Sequence, residues 1–138
     1  MGRDGDLVGL SCVIVDDNAT FLKAARTLLE REGVTVAGTG GCADEALDLS
    51  SAHEPDVMLV DIVLGEESGF DLARKLVSEG RPVILMSAYT ESGYGPPAPQ
   101  GTDIGFLAKT ELSAASIRAL LRTARTHAQK TARRHQGT

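Results

Sequence analysis

The sequence has no tryptophan, and aromatic residues make up only 4% of it, so aliphatic side chains must fill its core. No apolar stretch approaches the roughly 20 residues that a membrane-spanning helix needs. The opening Met1-Gly2-Arg3-Asp4-Gly5-Asp6 lacks the basic and apolar regions of a secretory signal. Cysteine is scarce: Cys12 lies in an apolar run and Cys42 near a helix start, a poor disulfide framework. Both read as free thiols of a reducing cytoplasm. With two cysteines and scattered histidines, no zinc site is expected. Acidic residues are missing from one region only. From Ser113 onward there are six basic side chains and no acidic one, whereas residues 1–112 hold 8 basic and 19 acidic groups. An acidic body argues against direct DNA binding by the domain. The basic end reads as a solvated helix face or an interaction tail.

What is present suits one domain with a sizeable core: 138 residues, 42% of them hydrophobic. Three apolar runs end on polar side chains. Cys12-Val13-Ile14-Val15 stops at Asp16-Asp17, Val57-Met58-Leu59-Val60 stops at Asp61, and Val83-Ile84-Leu85-Met86 stops at Ser87. A short continuous apolar run marks a strand buried on both faces of a parallel sheet. Open α/β sheets place their ligands at the C-terminal ends of such strands. Asp61 is therefore a candidate nucleophile, and the other polar strand ends are candidates to serve it.

In chain order, the pattern predicts a strand over Leu10 to Val15, capped into a helix by Asp16-Asp17-Asn18. Phe21, Ala25, Leu28, Leu29 and Glu32 share helical spacing before Gly33. A less apolar edge strand follows over Val34 to Ala37, then a turn over Gly38 to Gly41 and a helix over 44–52. Pro55 opens the third strand, and Gly65 to Gly69 form its outgoing loop. A third helix shows Phe70, Ala73, Leu76 and Val77 to the core and stops at Gly80. The fourth strand starts at Pro82, and the fifth spans Ile104 to Ala108. The last helix begins near Ser113 and carries Ile117, Leu120, Leu121 and Ala124. Such alternation builds an α/β domain with a doubly wound, five-stranded parallel sheet. Residues 91–100 break the rule, because three prolines and two glycines disrupt the fourth crossover helix and leave an irregular loop. The expected division is a flexible lead-in over 1–9, the domain over 10–128 and a basic polar tail over 129–138.

The motifs Val15-Asp16-Asp17, Val60-Asp61-Ile62-Val63-Leu64-Gly65, Met86-Ser87-Ala88 and Gly105-Phe106-Leu107-Ala108-Lys109 stand at strand ends at compatible spacings. Together they resemble the receiver domains of two-component response regulators, the CheY-like group of flavodoxin-like folds with strand order 2-1-3-4-5. Singly they are weak: Asp16-Asp17 is an ordinary helix cap, Ser87 a turn residue and Lys109 a solvated lysine. The resemblance implies a phospho-accepting signalling protein. Asp61 would take a phosphoryl group from a histidine kinase or phosphotransfer protein. Asp17, Asp61 and the Val63 carbonyl would bind Mg²⁺ (or Mn²⁺) directly, with Asp16 acting mainly through water. Lys109 would neutralise a phosphoryl oxygen and Ser87 would hydrogen-bond it. Ser87 and Phe106 would form the switch that changes a face read by a downstream protein partner. Val63 and Tyr89 occupy the positions that tune hydrolysis, and their apolar character predicts a long-lived phosphoryl group.

The resemblance further implies a cytoplasmic, monomeric or weakly dimeric module, with no membrane or DNA contact, that turns over no external substrate. Lys109-Thr110 replaces a Lys-Pro pair common in the family, so a trans bond is expected there. The proline-rich 91–100 segment lies in the family's usual output face and is expected to order on activation. Two other readings compete. A pseudo-receiver binds without phosphorylation, but it usually lacks the acid pair, the acceptor or the lysine. A phosphotransferase of the haloacid-dehalogenase kind wants Asp-x-Asp where this chain has adjacent Asp16-Asp17.

Overall fold

The computed structural model describes residues 9–88 and 104–122. Strand β1 (Ser11–Val15) leads into helix α1 (Ala19–Arg31), then β2 (Thr35–Gly40), α2 (Ala43–His53) and β3 (Val57–Asp61). After α3 (Gly69–Ser78) come β4 (Val83–Ser87) and β5 (Ile104–Ala108), and α4 occupies 114–122. The five strands are parallel, as the alternation predicts, in the order β2-β1-β3-β4-β5 that the family resemblance implies. Segment 89–103, which contains the expected irregular crossover and Tyr89, lies outside the described residues. So do the lead-in through residue 8 and the tail.

The apolar runs are continuous because the strands are covered on both sides. Cys12, Ile14, Val57, Leu59, Ile84 and Met86 face one core, completed by α1 and by Ile117 and Leu121 of α4. Val13, Val15, Met58, Val60, Val83 and Leu85 face the other, completed by Ala46 of α2 and by Leu72, Ala73 and Leu76 of α3. Side chains alternate across a strand, so each run divides between the two cores. Every residue of β3 and of β4 is buried.

Several local expectations change. Strand β2 does not stop at Ala37 but continues to Gly40 across a bulge opposite Cys12 and Val13. Its glycines admit α2: a Cβ on Gly38 would meet Leu49 Cδ2 at 2.8 Å. The outgoing loop of β3 contains an antiparallel ribbon, Val63–Leu64 against Glu67–Ser68, and Gly69 is already helical. On α1 the buried stripe runs through Ala25 and Leu29, with Phe21 and Leu22 half-buried. Leu28 lies about 100° round the helix from Leu29 and is exposed. Glu32 caps the end of α1, and its carboxylate accepts the Ala114 amide at 2.6 Å, tying α1 to the start of α4.

Candidate phosphoryl and metal site

Strand register brings the polar ends together. Val15 pairs with Val60, Asp61 with Met86, and Ser87 with Ala108, so Asp16, Asp61, Ser87 and Lys109 reach one edge of the sheet. The ladder also holds the chain beyond these residues. The Asp16 amide donates to the Gly40 carbonyl at 2.9 Å, and the Ile62 amide donates to the Met86 carbonyl at 3.0 Å. The loop after Asp61 returns so tightly that the Gly69 amide donates to the Ile62 carbonyl at 3.0 Å. A Cβ on Gly69 would overlap the Asp61 carbonyl oxygen and lie 2.7 Å from Ile62 Cα. Only glycine fits that contact. Gly65, at φ +60°, turns the ribbon next to Asp17.

Carboxylate oxygens of Asp16, Asp17 and Asp61 all lie within 4.8 Å of one another. Asp16 is fully buried, Asp61 nearly so, and Asp17 exposed. Lys109 Nζ stands 2.6 Å from Asp16 Oδ2 and 3.1 Å from Asp61 Oδ2. The lysine donates an aligned hydrogen bond to Asp61. It also pairs with the buried Asp16 Oδ2 at charge-assisted hydrogen-bond distance. Asp16 Oδ1 accepts the Asn18 amide at 2.9 Å, and Asp61 Oδ1 accepts the Val63 amide at 3.1 Å.

Burial raises the Asp61 pKa above the usual carboxylate range, and the Asp16 charge adds to this. The Val63 amide and Lys109 work in the opposite direction without prevailing. Burial alone would lower the Lys109 pKa, but hydrogen bonding and attraction to Asp16 and Asp61 raise it overall. Asp16 and Asp61 thus share one ammonium, with the Asp17 carboxylate close by. The hard oxygen donors of the three carboxylates fit a small divalent cation such as Mg²⁺.

Of the other predicted residues, Ser87 is buried at the end of β4. Val63 is 57% exposed beside the acids. Phe106 is half-buried and packs against the α2–α3 core rather than the α1–α4 core. No cis peptide occurs among the described residues, so Lys109-Thr110 is trans. Sequence reasoning missed Phe21 as a neighbour of the site: Lys109 Nζ lies 4.5 Å from its ring centroid. It sits four residues past Asp17, one turn into α1, and that spacing was the available signal.

Comparison with known proteins agrees with this geometry. The family described as response regulator receiver domain matches residues 12–122. The chain is 38% identical over 88 residues to the polar-differentiation response regulator DivK of Brucella anthropi, covering 60% of this chain and 70% of that protein. It is 34% identical over 86 residues to a protein-glutamate methylesterase/protein-glutamine glutaminase of Oleidesulfovibrio alaskensis. That match covers 61% of this chain but only 23% of the methylesterase. The signal receiver domain of NarL from Mycobacterium tuberculosis superposes with a TM-score of 0.64 at 28% identity, covering 84% of this chain and 96% of that one. A Burkholderia pseudomallei response regulator, solved with a phosphorylated aspartic acid, a calcium ion and citrate, superposes with a TM-score of 0.66 at 29% identity. There the match covers 88% of this chain and 72% of the other. The chain belongs to the receiver domain family of two-component response regulators. Among its described residues, no helix is long and apolar enough to cross a membrane.

Proposed function

We propose that Asp61 is a phospho-acceptor and that its phosphorylation switches a protein-interaction face. The observation that carries this reading is the meeting of Asp16, Asp17 and Asp61 within 4.8 Å of one another, with Lys109 paired to Asp16 and Asp61. Mutual repulsion of buried acids costs stability, so a purely structural role gives no reason to gather them. The phosphorylated aspartate and calcium ion of the Burkholderia protein support the same chemistry.

Asp17, Asp61 and the Val63 carbonyl would hold Mg²⁺ or Mn²⁺, with Asp16 acting through water. When bound, the ion offsets the repulsion between carboxylate and phosphoryl oxygens. The chain supplies the rest. An Asp61 carboxylate oxygen attacks phosphorus in line, and a P–O bond forms. The P–N bond to the phosphohistidine donor breaks, and its electron pair returns to the imidazole. Lys109 exchanges its carboxylate contacts for a phosphoryl oxygen, and the Ser87 hydroxyl donates to another. Because Ser87 pairs with Ala108 beside Phe106, movement of Ser87 is passed to β5. Val63, with Tyr89, shields the acyl phosphate from water and prolongs its life. The partners are a histidine kinase or phosphotransfer protein upstream and a protein downstream, in the cytoplasm.

Incubation with acetyl phosphate and Mg²⁺, followed by intact-mass measurement, tests the reading. One added phosphoryl group is expected in the unsubstituted protein and none in Asp61→Asn. Absence of the adduct in the unsubstituted protein, with no transfer from a phosphorylated histidine kinase, would make the chain a phosphorylation-independent binding module.

A further inference from the structure

We infer that Phe21 is a positioning residue for phosphoryl transfer, acting through Lys109; this rests on the phospho-acceptor reading of Asp61. The lysine ammonium lies over the ring at 4.5 Å from the centroid, within the range of cation–π attraction. The ring is held from behind, because Phe21 packs against the core shared by α1 and α4. A closed circuit of contacts sets its position. Asp16 Oδ1 accepts the Asn18 amide at 2.9 Å, and Asn18 Oδ1 accepts the Phe21 amide at 3.0 Å as the cap of α1. The Phe21 ring then faces Lys109 Nζ, which returns to Asp16 Oδ2 at 2.6 Å. The acid that binds the lysine therefore also orients the helix turn that carries the aromatic.

Beside Asp16 and Asp61, the arrangement gives Lys109 a third neighbour that is neither an acid nor solvent. A lysine has a flexible four-carbon stem, and its ammonium is a point charge with no orientation of its own. Once the acids are engaged by a metal and a phosphoryl group, the carboxylates no longer hold it alone. The ring's negative face keeps the ammonium at the mouth of the site, where a phosphoryl oxygen arrives. Burying an aliphatic side chain at residue 21 would preserve the packing but not this attraction.

The test separates electronic from steric effects. Phosphorylation by acetyl phosphate is followed in the full chain with Phe21 replaced by Leu, by Tyr, and by mono-, di- and trifluorinated phenylalanines. Phe21→Leu is expected to slow labelling roughly fivefold, with Phe21→Tyr restoring it. Each added fluorine weakens the ring's negative face with little change in size and should lower the rate stepwise. Nuclear magnetic resonance of the Lys109 side chain should show an upfield ring-current shift that disappears in Phe21→Leu. A flat fluorine series with labelling intact, or no ring-current shift, overturns the role of Phe21 and leaves the acceptor reading standing. No labelling of the unsubstituted protein, by acetyl phosphate or by a phosphorylated histidine kinase, overturns the acceptor reading, and the role of Phe21 with it.

Discussion

The two ends of the parallel sheet treat polar groups in opposite ways. At the N-terminal ends of the strands each charge is absorbed locally. The Ser11 amide and hydroxyl both donate to Asp56 Oδ2, at 2.8 and 3.3 Å. Arg81 donates to the Ser50 hydroxyl at 3.0 Å, to the Pro55 carbonyl at 3.3 Å and to the Ser50 carbonyl at 3.4 Å. At the C-terminal ends three carboxylates cluster, two of them, Asp16 and Asp61, paired with the one ammonium of Lys109. The first end pairs its charges within the chain, and the second gathers more acids than it has cations, as the proposed metal and phosphoryl site requires. Clustered buried acids repel one another and cost free energy, so their persistence points to a use.

The comparison breaks most visibly in the backbone. Gly69→Ala places a Cβ on the Asp61 carbonyl and should cost about 3 kcal/mol or more, measured by urea denaturation, with a misplaced acceptor and lost labelling. Gly80, at the C-terminal end of α3, has open space round an added Cβ, so only the strain of its φ of +87° opposes Gly80→Ala, a smaller cost of about 1 kcal/mol. Next comes removal of one cation from each end. Lys109→Met leaves buried acids uncompensated and should cost about 3 kcal/mol without metal, partly recovered by Mg²⁺. Arg81→Met loses hydrogen bonds worth about 1–2 kcal/mol and should show no recovery. Equal rescue of both variants would erase the distinction.

A smaller effect of opposite sign is expected at Asp61. Its folded-state pKa is raised, chiefly by burial, above an ordinary value of 3.8. The folded protein therefore holds this proton more tightly than the unfolded chain. The stability it contributes is present at low pH and is lost as pH climbs from 3.8 toward the raised folded value. Asp61→Asn removes that loss. Without metal at neutral pH it should melt higher than the parent by a few degrees, roughly 2–5 °C, and the difference should shrink in acid. A lower melting temperature would mean that Lys109 already balances the cluster.

Much of this was legible because burial on both faces writes itself as unbroken apolar runs. The residue ending each run then lies at the sheet edge where ligands bind. Asp16, Asp61 and Ser87 were found that way, and Lys109 by the spacing of its motif. Other features leave weaker marks. Strand β2 was cut short at Ala37 because Gly38 and Gly40 resemble a turn, and only the packing of Leu49 shows why glycine is needed there. The ribbon from Val63 to Ser68 has two-residue strands, too short for any periodicity. Leu28 matched helical spacing yet faces outward, since a stripe of four residues leaves the centre of a helix face uncertain by about one position. Phe21 was placed on the apolar face of its helix, and its position one turn past Asp17 was the slight mark of its place beside Lys109.

The most direct test of the unequal ends uses substoichiometric Mn²⁺ and amide resonances of the folded protein. Paramagnetic broadening should be strongest at Asn18, Ile62, Val63 and Gly65 and fall steeply along each strand. Ser11, Asp56 and Arg81, roughly 16 Å away along β1, β3 or β4, should stay comparatively sharp, and excess Mg²⁺ should restore the lost signals. Broadening spread evenly over both ends, or none around Asp16, Asp17 and Asp61, would contradict the claim that the C-terminal edge is a cation site.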